Sequence, residues 1–320
     1  MRREKSGLTV IEILVVVSII AILVGILVPA LTMVQNTAKK VKQHAQFTAI
    51  DLGLAAFRND YGDYPPSNWW NPVIPGTPQN YCGAQKLAEA LLGWDLLGFH
   101  PDSAWRADGL DAAGGPDTYD PLKAYPPAIR QENLKKRRDR YIELDVANAF
   151  RLGESAAGSR DGLFVNTLGE WGGQPLRPNT FVLCDVYEVS ERKMVLSDGR
   201  SVVPGTPILY YRANVSSKTI ESTGTPAVEP EDRIYNSRDN VPLINLGRLS
   251  DAAKPLAQRQ RHPLDFNATP PWGVDFYDYI RDPKVTARPW PYRPDSYILI
   301  SAGPDGLYGT SDDIRNFGRR

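Results

Sequence analysis

One stretch governs what this 320-residue chain can become: from Ile13 to Val28 sixteen residues pass without a charge, and apolar character extends from Leu8 to Val34 with few interruptions. About 20 mostly apolar residues cross the hydrocarbon core of a bilayer as a helix, so the stretch is long enough to span one. The segment before it, Met-Arg-Arg-Glu-Lys-Ser-Gly, holds three basic residues against one acid. By the positive-inside rule this predicts a cytoplasmic N-terminus with the rest of the chain outside. A secretory signal peptide shares the basic flank and a shorter apolar core, yet the residues after Val28, Pro-Ala-Leu-Thr-Met-Val, offer no evident small-residue cleavage site. A mean hydropathy of -0.35 excludes several spans. The 37 basic and 37 acidic side chains cancel, so the charge balance points to no nucleic-acid partner.

Glu12 is out of place in such a run. An acid at the bilayer centre costs roughly 2.5 to 3.5 kcal/mol, less near the interface, and ionisable residues kept there are usually paired and functional. No basic residue lies within the apolar run to pair with it. Cleavage after Gly7 would supply a partner. Leu8 would gain a free α-amino group one helical turn from Glu12, and a neighbouring copy could present the same amine, which favours side-by-side assembly in the membrane.

The string GLTVIEILVVVSIIAILVGILVPAL resembles the N-terminus of type IV pilins and type II secretion pseudopilins. Gly7 precedes the cleavage point, Glu12 is the acid at the fifth mature position, and Pro29 stands where the family often has proline; Leu8 departs from the usual Phe. The resemblance implies a leader, residues 1–7, removed by prepilin peptidase, methylation of the new N-terminus, and assembly through Glu12. It further implies a single-pass protein of the cytoplasmic (inner) membrane with its C-terminal domain in the periplasm or outside. Self-association into a pseudopilus or pilus-like filament, with other pseudopilins, membrane lipid and an inner-membrane assembly platform as partners, completes the expectation.

The helical pattern continues past the membrane. Residues 8–34 form the transmembrane part and 35–60 an amphipathic part, about 80 Å in all if wholly helical. Val34, Ala38, Val41, Ala45, Thr48, Leu52 and Ala55 recur at four- and three-residue steps, with Phe47, Ile50, Leu54 and Phe57 as a second stripe. The expectation is that both stripes merge into one broad apolar face against a soluble domain. Pro29 removes its own amide donor and crowds the carbonyl of Gly25, so the Gly25/Pro29 pair is either a hinge or a simple tolerated kink.

The body, residues 61–320, reads as a pilin-like α+β domain: a small antiparallel β-sheet with loop-rich insertions behind the long membrane-inserted helix. Gly62 and Pro65-Pro66 end that helix, and the exit AAFRNDYGDYPPSNW resembles that of the major pseudopilin. A helix is predicted over 85–97, a long surface loop over 100–127, and helical character over 129–152 with the basic run Lys135 to Arg138 as a solvated face. Strands are predicted over 180–189, 194–203 with a turn at Asp198-Gly199, 208–215 and 296–301. The polar, Pro- and Arg-rich stretch 218–294 reads as an insertion.

After the last strand comes SAGPDGLYGTSDDI, residues 301–314, with Asp305, Asp312 and Asp313 spaced by three glycines. Calcium takes six to eight oxygen ligands, which carboxylates and carbonyls of a tight Gly-rich loop supply together; a metal-free set of turns is the simpler alternative. The segment resembles the calcium-binding loop of the type II secretion major pseudopilin, which implies Ca2+ held by Asp305, Asp312 and Asp313 with Ser301 and carbonyls as helpers. A second acidic loop, Asp108, Asp111, Asp117 and Asp120, is less regular.

Enzymatic readings fare poorly, and no acid/base pair stands out among the 37 carboxylates. His44, His100 and His262 form no metal-binding pair at helical spacing, and Ser190-x-x-Lys193 lacks its companion motif. Cys82 and Cys184 read as one disulfide or as two buried free thiols. Beside the filament subunit stands a second reading, a non-polymerising membrane-anchored module whose Trp69, Trp70, Trp272 and Trp290 contact a glycan or surface ligand.

Overall fold

The structure, a computed structural model, describes residues 9–68, 81–110, 118–119, 127–155, 158–164, 176, 179–196, 198–220, 232–264 and 275–318. The chain divides into two compact units, Met1–Gln43 and His44–Arg320. The first is helical from Val10 onward. It belongs to α1, Val10–Tyr61, which continues through Pro29 without a break and reaches into the second unit.

In the second unit the last turns of α1 bury Phe47, Ile50, Leu54 and Phe57, while Leu52 is 68% exposed and Ala45, Thr48 and Ala55 also face outward. This corrects the expected single apolar face. At 3.6 residues per turn, positions two apart lie about 200° from each other around the helix axis, so Leu52 and Leu54 cannot share a side.

Helix α2, Gly83–Leu92, is shorter than its predicted span because Gly93 leaves the helix at φ +86°. Its start runs so close to a strand backbone that a Cβ on Gly83 would lie 2.3 Å from the Tyr210 carbonyl oxygen. Helix α3, Pro127–Lys136, also stops early, and the chain then makes a short α4, Leu144–Ala147, before turning at Asn148 (φ +51°) into a strand. The break has a cause in the basic run. Arg137 turns inward to Asp95 at 2.6 Å and stacks over Tyr119, while the Arg138 amide donates to the Phe99 carbonyl at 2.9 Å. Of that run, Lys135, Lys136 and Arg138 are exposed and Arg137 is not part of a solvated face.

Among the described residues three small antiparallel sheets follow. β1 (Ala149–Arg151) pairs with β2 (Phe181–Leu183), and β3 (Met194–Val195) with β4 (Ser201–Val202) around Gly199 at φ +82°. β5 (Leu209–Arg212), β6 (Tyr297–Ser301) and β7 (Ile314–Arg315) form the third, in the order β5-β6-β7. Strand residues alternate between faces, and here both faces are apolar. Tyr210, Tyr297 and Leu299 pack with Phe47, Ile50 and Leu54 of α1 and Leu87 and Leu91 of α2. Leu209, Tyr211, Ile298 and Ile300 pack on the other side with Ile234, Leu243, Leu249, Leu264, Phe276 and Ile280.

That second layer, which includes α5 (Val241–Ile244) and α6 (Phe276–Ile280), comes from the stretch read as an insertion. Its described residues are structural: they share the cover of that face of the central sheet with Leu152, Phe164 and Val182.

Candidate functional site

Two regions carry the functional expectations, the start of α1 and the loop between β6 and β7. In the first, every large hydrophobic residue from Val10 to Val28 is at least 50% exposed. Among the described residues α1 is the one helix long and apolar enough to cross a membrane. Ser18 donates to the Leu14 carbonyl at 2.8 Å and Thr37 to that of Met33 at 2.9 Å, so both hydroxyls are satisfied within the helix. A bilayer core demands this closure, since it offers no water to polar groups.

Glu12 sits in the first turn as one half of a reciprocal cap. Its Oε2 accepts from the Thr9 amide and the Thr9 hydroxyl, each at 2.8 Å, while Thr9 Oγ1 accepts from the Glu12 amide at 3.3 Å. This is the capping box Thr-x-x-Glu, which satisfies amides that helix geometry leaves orphaned. Sequence reading passed over it, although the four-residue signature was in plain view. Gly7 and Leu8 lie outside the described residues. A Cβ on Gly25 would meet nothing within 4 Å, so no close packing within the chain requires glycine there.

The C-terminal loop is folded by its own side chains. Asp305 Oδ1 accepts from the Leu307 amide at 2.8 Å, Asp312 Oδ2 from the Asp305 amide at 3.1 Å, and Asp313 Oδ2 from the Gly309 amide at 2.8 Å. Gly303, Gly306 and Gly309 all adopt positive φ, and a Cβ on Gly303 would fall 2.3 Å from the Asp312 carbonyl oxygen. The glycines are therefore demanded by the turn geometry whether or not an ion is bound.

The four expected ligands do not form one shell. Burial, and then the charge of Asp312, raise the Asp305 pKa, so these two carboxylates act on each other. Asp313 is turned to Tyr279, whose hydroxyl donates to it, and burial pushes its pKa up to about 7. The Ser301 hydroxyl donates to Asp185 at 2.9 Å. Among the described residues no group of three or more His, Cys, Asp or Glu is set to hold a metal. What fits a cation is the pair Asp305 and Asp312, whose repulsion a positive charge would relieve, together with carbonyls of the loop.

Asp185 is a residue that sequence reading missed. It is fully buried, accepts from the amides of Tyr187 (3.1 Å) and Thr206 (3.0 Å) as well as from Ser301, and burial raises it to about 7. It thus ties the end of β6 to the segment after β2. Beside it lies a polar cavity of about 180 Å³ lined in part by Glu188, Thr206, Arg248 and Asp305.

The remaining expectations fall apart spatially. Cys82 and Cys184 are separate buried free thiols. His262 is buried, held neutral with its pKa pushed down to about 4, and accepts from the Tyr308 amide at 3.2 Å. Of the second acidic loop, Asp108 pairs with Arg106 at 2.7 Å, and Asp111, Asp117 and Asp120 lie outside the described residues. Trp69, Trp70 and Trp272 also lie outside them, while Trp290 is partly buried against the core with Arg288 3.8 Å over its ring.

The chain matches no protein-family model, no curated protein and no solved structure.

Proposed function

We propose that this chain is a structural subunit of a type II secretion pseudopilus or type IV pilus-like filament. In this proposal prepilin peptidase cleaves it after Gly7, and α1 anchors it in the cytoplasmic membrane with the 44–320 unit on the outer side. One observation carries the reading: α1 exposes its apolar side chains from Val10 to Val28 and buries those from Phe47 to Phe57. Apolar surface left in water costs about 25 cal/mol per Å², so the exposed part needs lipid before assembly and neighbouring helices after it. Glu12 needs a counter-charge in either setting, and the positive α-amino group of Leu8 on an adjacent subunit would supply it. No catalytic group is part of this function.

Asp305 and Asp312, with loop carbonyls, are the donors assigned to calcium. The ion would supply the charge that neutralises this pair and cross-links the two ends of the loop. Binding to the folded form alone would add about 2.7 kcal/mol at a hundredfold excess over Kd. Melting with calcium, magnesium or chelator tests it. An unchanged calcium response after Asp305→Ala with Asp312→Ala would leave the loop as a turn only.

The decisive experiment combines mass spectrometry of the mature N-terminus with cross-linking of assembled polymer. A chain beginning at Leu8, with Glu12→Gln inserted in the membrane but not polymerised, is the expected result. A mature chain beginning at Met1, or wild-type polymer from the mutant, would sink it. The second reading, an anchored binding module, draws on a cavity of about 350 Å³ lined by Asn68, Arg212, Asn214, Arg233 and Asp239 among others. It predicts no filaments at all.

A further inference from the structure

Away from both functional ends, α2 buries polar residues that its sequence would place on a surface. Lys86 is 1% exposed. Its Nζ donates to the Asn68 side-chain oxygen Oδ1 at 3.1 Å and to the Asn68 backbone carbonyl. An amine held at the oxygen of a carboxamide is one bond away from the electrophilic carbon. Proximity of this kind replaces a bimolecular encounter and is worth many orders of magnitude in rate.

The surroundings supply the rest of the chemistry. Burial lowers the Lys86 pKa to about 8, opposed chiefly by the charges of Asp239 and Glu89. A lysine desolvated in this way is a nucleophile at neutral pH. Asp239, also buried, accepts from the hydroxyl of Ser67, the residue preceding Asn68. Ser67 is fixed in turn by the Arg212 amide, which donates to its Oγ at 2.9 Å. Ser67, Asn68 and Asp239 line one and the same cavity of about 350 Å³, which gives a small leaving group a way out.

We propose that Lys86 and Asn68 form an intramolecular isopeptide bond, Nζ to Cγ, with Asp239 as proton carrier. The Lys86 ammonium passes one proton to the Asp239 carboxylate. Neutral Nζ adds its lone pair to Asn68 Cγ, a proton moves from Nζ to Nδ2 in the tetrahedral adduct, and the Cγ–Nδ2 bond breaks. Ammonia leaves, takes the proton back from Asp239 and departs as ammonium. One ammonium and one carboxamide become one secondary amide and one ammonium ion, with no oxidant, reductant or cofactor. The bond ties the segment that follows α1 directly to α2. A pull on α1 then reaches the core through a covalent link, besides the packing of Phe47, Ile50 and Leu54.

The test is peptide mass spectrometry of the full chain extracted from membranes in detergent. Expected is the tryptic peptide 59–106, uncleaved at Lys86 because no Lys or Arg separates Asn68 from it, and about 17 Da lighter than its linear sequence for the lost ammonia. Asn68→Ala, at an exposed position, should restore cleavage at Lys86, giving peptides 59–86 and 87–106 of unshifted mass, and lower the melting temperature. Asn68→Asp should restore the link with loss of about 18 Da, as water leaves instead. Asp239→Asn should leave Lys86 open to trypsin in a chain that still melts cooperatively. Separate, unshifted peptides from the wild-type chain would overturn the proposal. So would a 17 Da deficit that survives Asn68→Ala.

Discussion

The first turns of α1 and the whole of α2 are both rich in apolar residues, yet they meet opposite surroundings. From Val10 to Val28 α1 exposes every large apolar side chain, whereas α2 is buried on all sides, Lys86 and Glu89 included. A helix that is apolar all round must be buried in something. For α1 that something is not the chain's own core; for α2 it is. Glu89 shows what the second situation requires. It accepts from the hydroxyls of Tyr81 and Ser103, and burial still pushes its pKa up to about 7. Polar groups enter a core only with partners, and α2 finds them in loops that its own sequence does not contain.

The sharpest way to break the comparison is truncation within one helix. Leu54→Ala in α1 and Leu87→Ala in α2 both remove fully buried side chains, and each should cost about 2 to 5 kcal/mol in a denaturant melt. Leu52→Ala, two residues from Leu54 and mostly exposed, should stay within about 0.5 kcal/mol. Equal losses at 52 and 54 would overturn the assignment of the buried face.

Next in size is a charge in the exposed part of α1. Ile20→Lys should weaken membrane partitioning by about 2.5 to 3.5 kcal/mol, read as the share of chain recovered in the membrane fraction. The melting temperature of the 44–320 unit should not move. Coupled loss of both would mean that the two units depend on each other.

A smaller effect separates buried acids from the exposed helix through pH. Asp185 has its pKa raised to about 7 in the folded chain, against about 3.9 for an unperturbed aspartate. A folded pKa above the unfolded one means that the native state holds the proton more tightly, so this group favours folding at low pH and loses that advantage as pH rises through about 4 to 7. Asp185→Asn removes the titration and keeps an oxygen for the amides of Tyr187 and Thr206. Relative to wild type, the variant should therefore gain stability by about 1 to 3 kcal/mol between pH 5 and pH 7.5. A stability difference flat over that window would show that the carboxylate is not protonated in the core. Smallest is Thr9→Ala, which opens the cap on Glu12 and should cost about 1 kcal/mol, confined to faster amide exchange in the first turn of α1.

Much of the chain was legible before any coordinates. The helix start, the β3–β4 turn at Gly199 and the strands β5 and β6 follow from uncharged length, glycine placement and apolar runs. What was misread has physical causes. The two stripes on α1 were both periodic, but periodicity identifies a face without saying which face packs. β6 reads Tyr-Ile-Leu-Ile-Ser, apolar at nearly every position, the mark of a strand covered on both sides. That mark could have announced that the polar stretch after residue 218 supplies a second layer. At the site, Asp305, Asp312 and Asp313 look equivalent by spacing, whereas in the fold Asp313 alone accepts from Tyr279, a residue distant in sequence.

The sequence by itself determined that α1 would be a long helix with an apolar start, because uninterrupted length and charge are local properties that no distant contact can undo. It determined the glycine turns of the C-terminal loop for the same reason, since positive φ is a cost carried by one residue. Only the tertiary structure decided which stripe of α1 is core, that Lys86 lies buried against Asn68, and that Ser301 donates to the distant Asp185. Each of those depends on residues far apart in the chain arriving at one place, where desolvation makes every polar group find a partner that its neighbours in sequence do not provide.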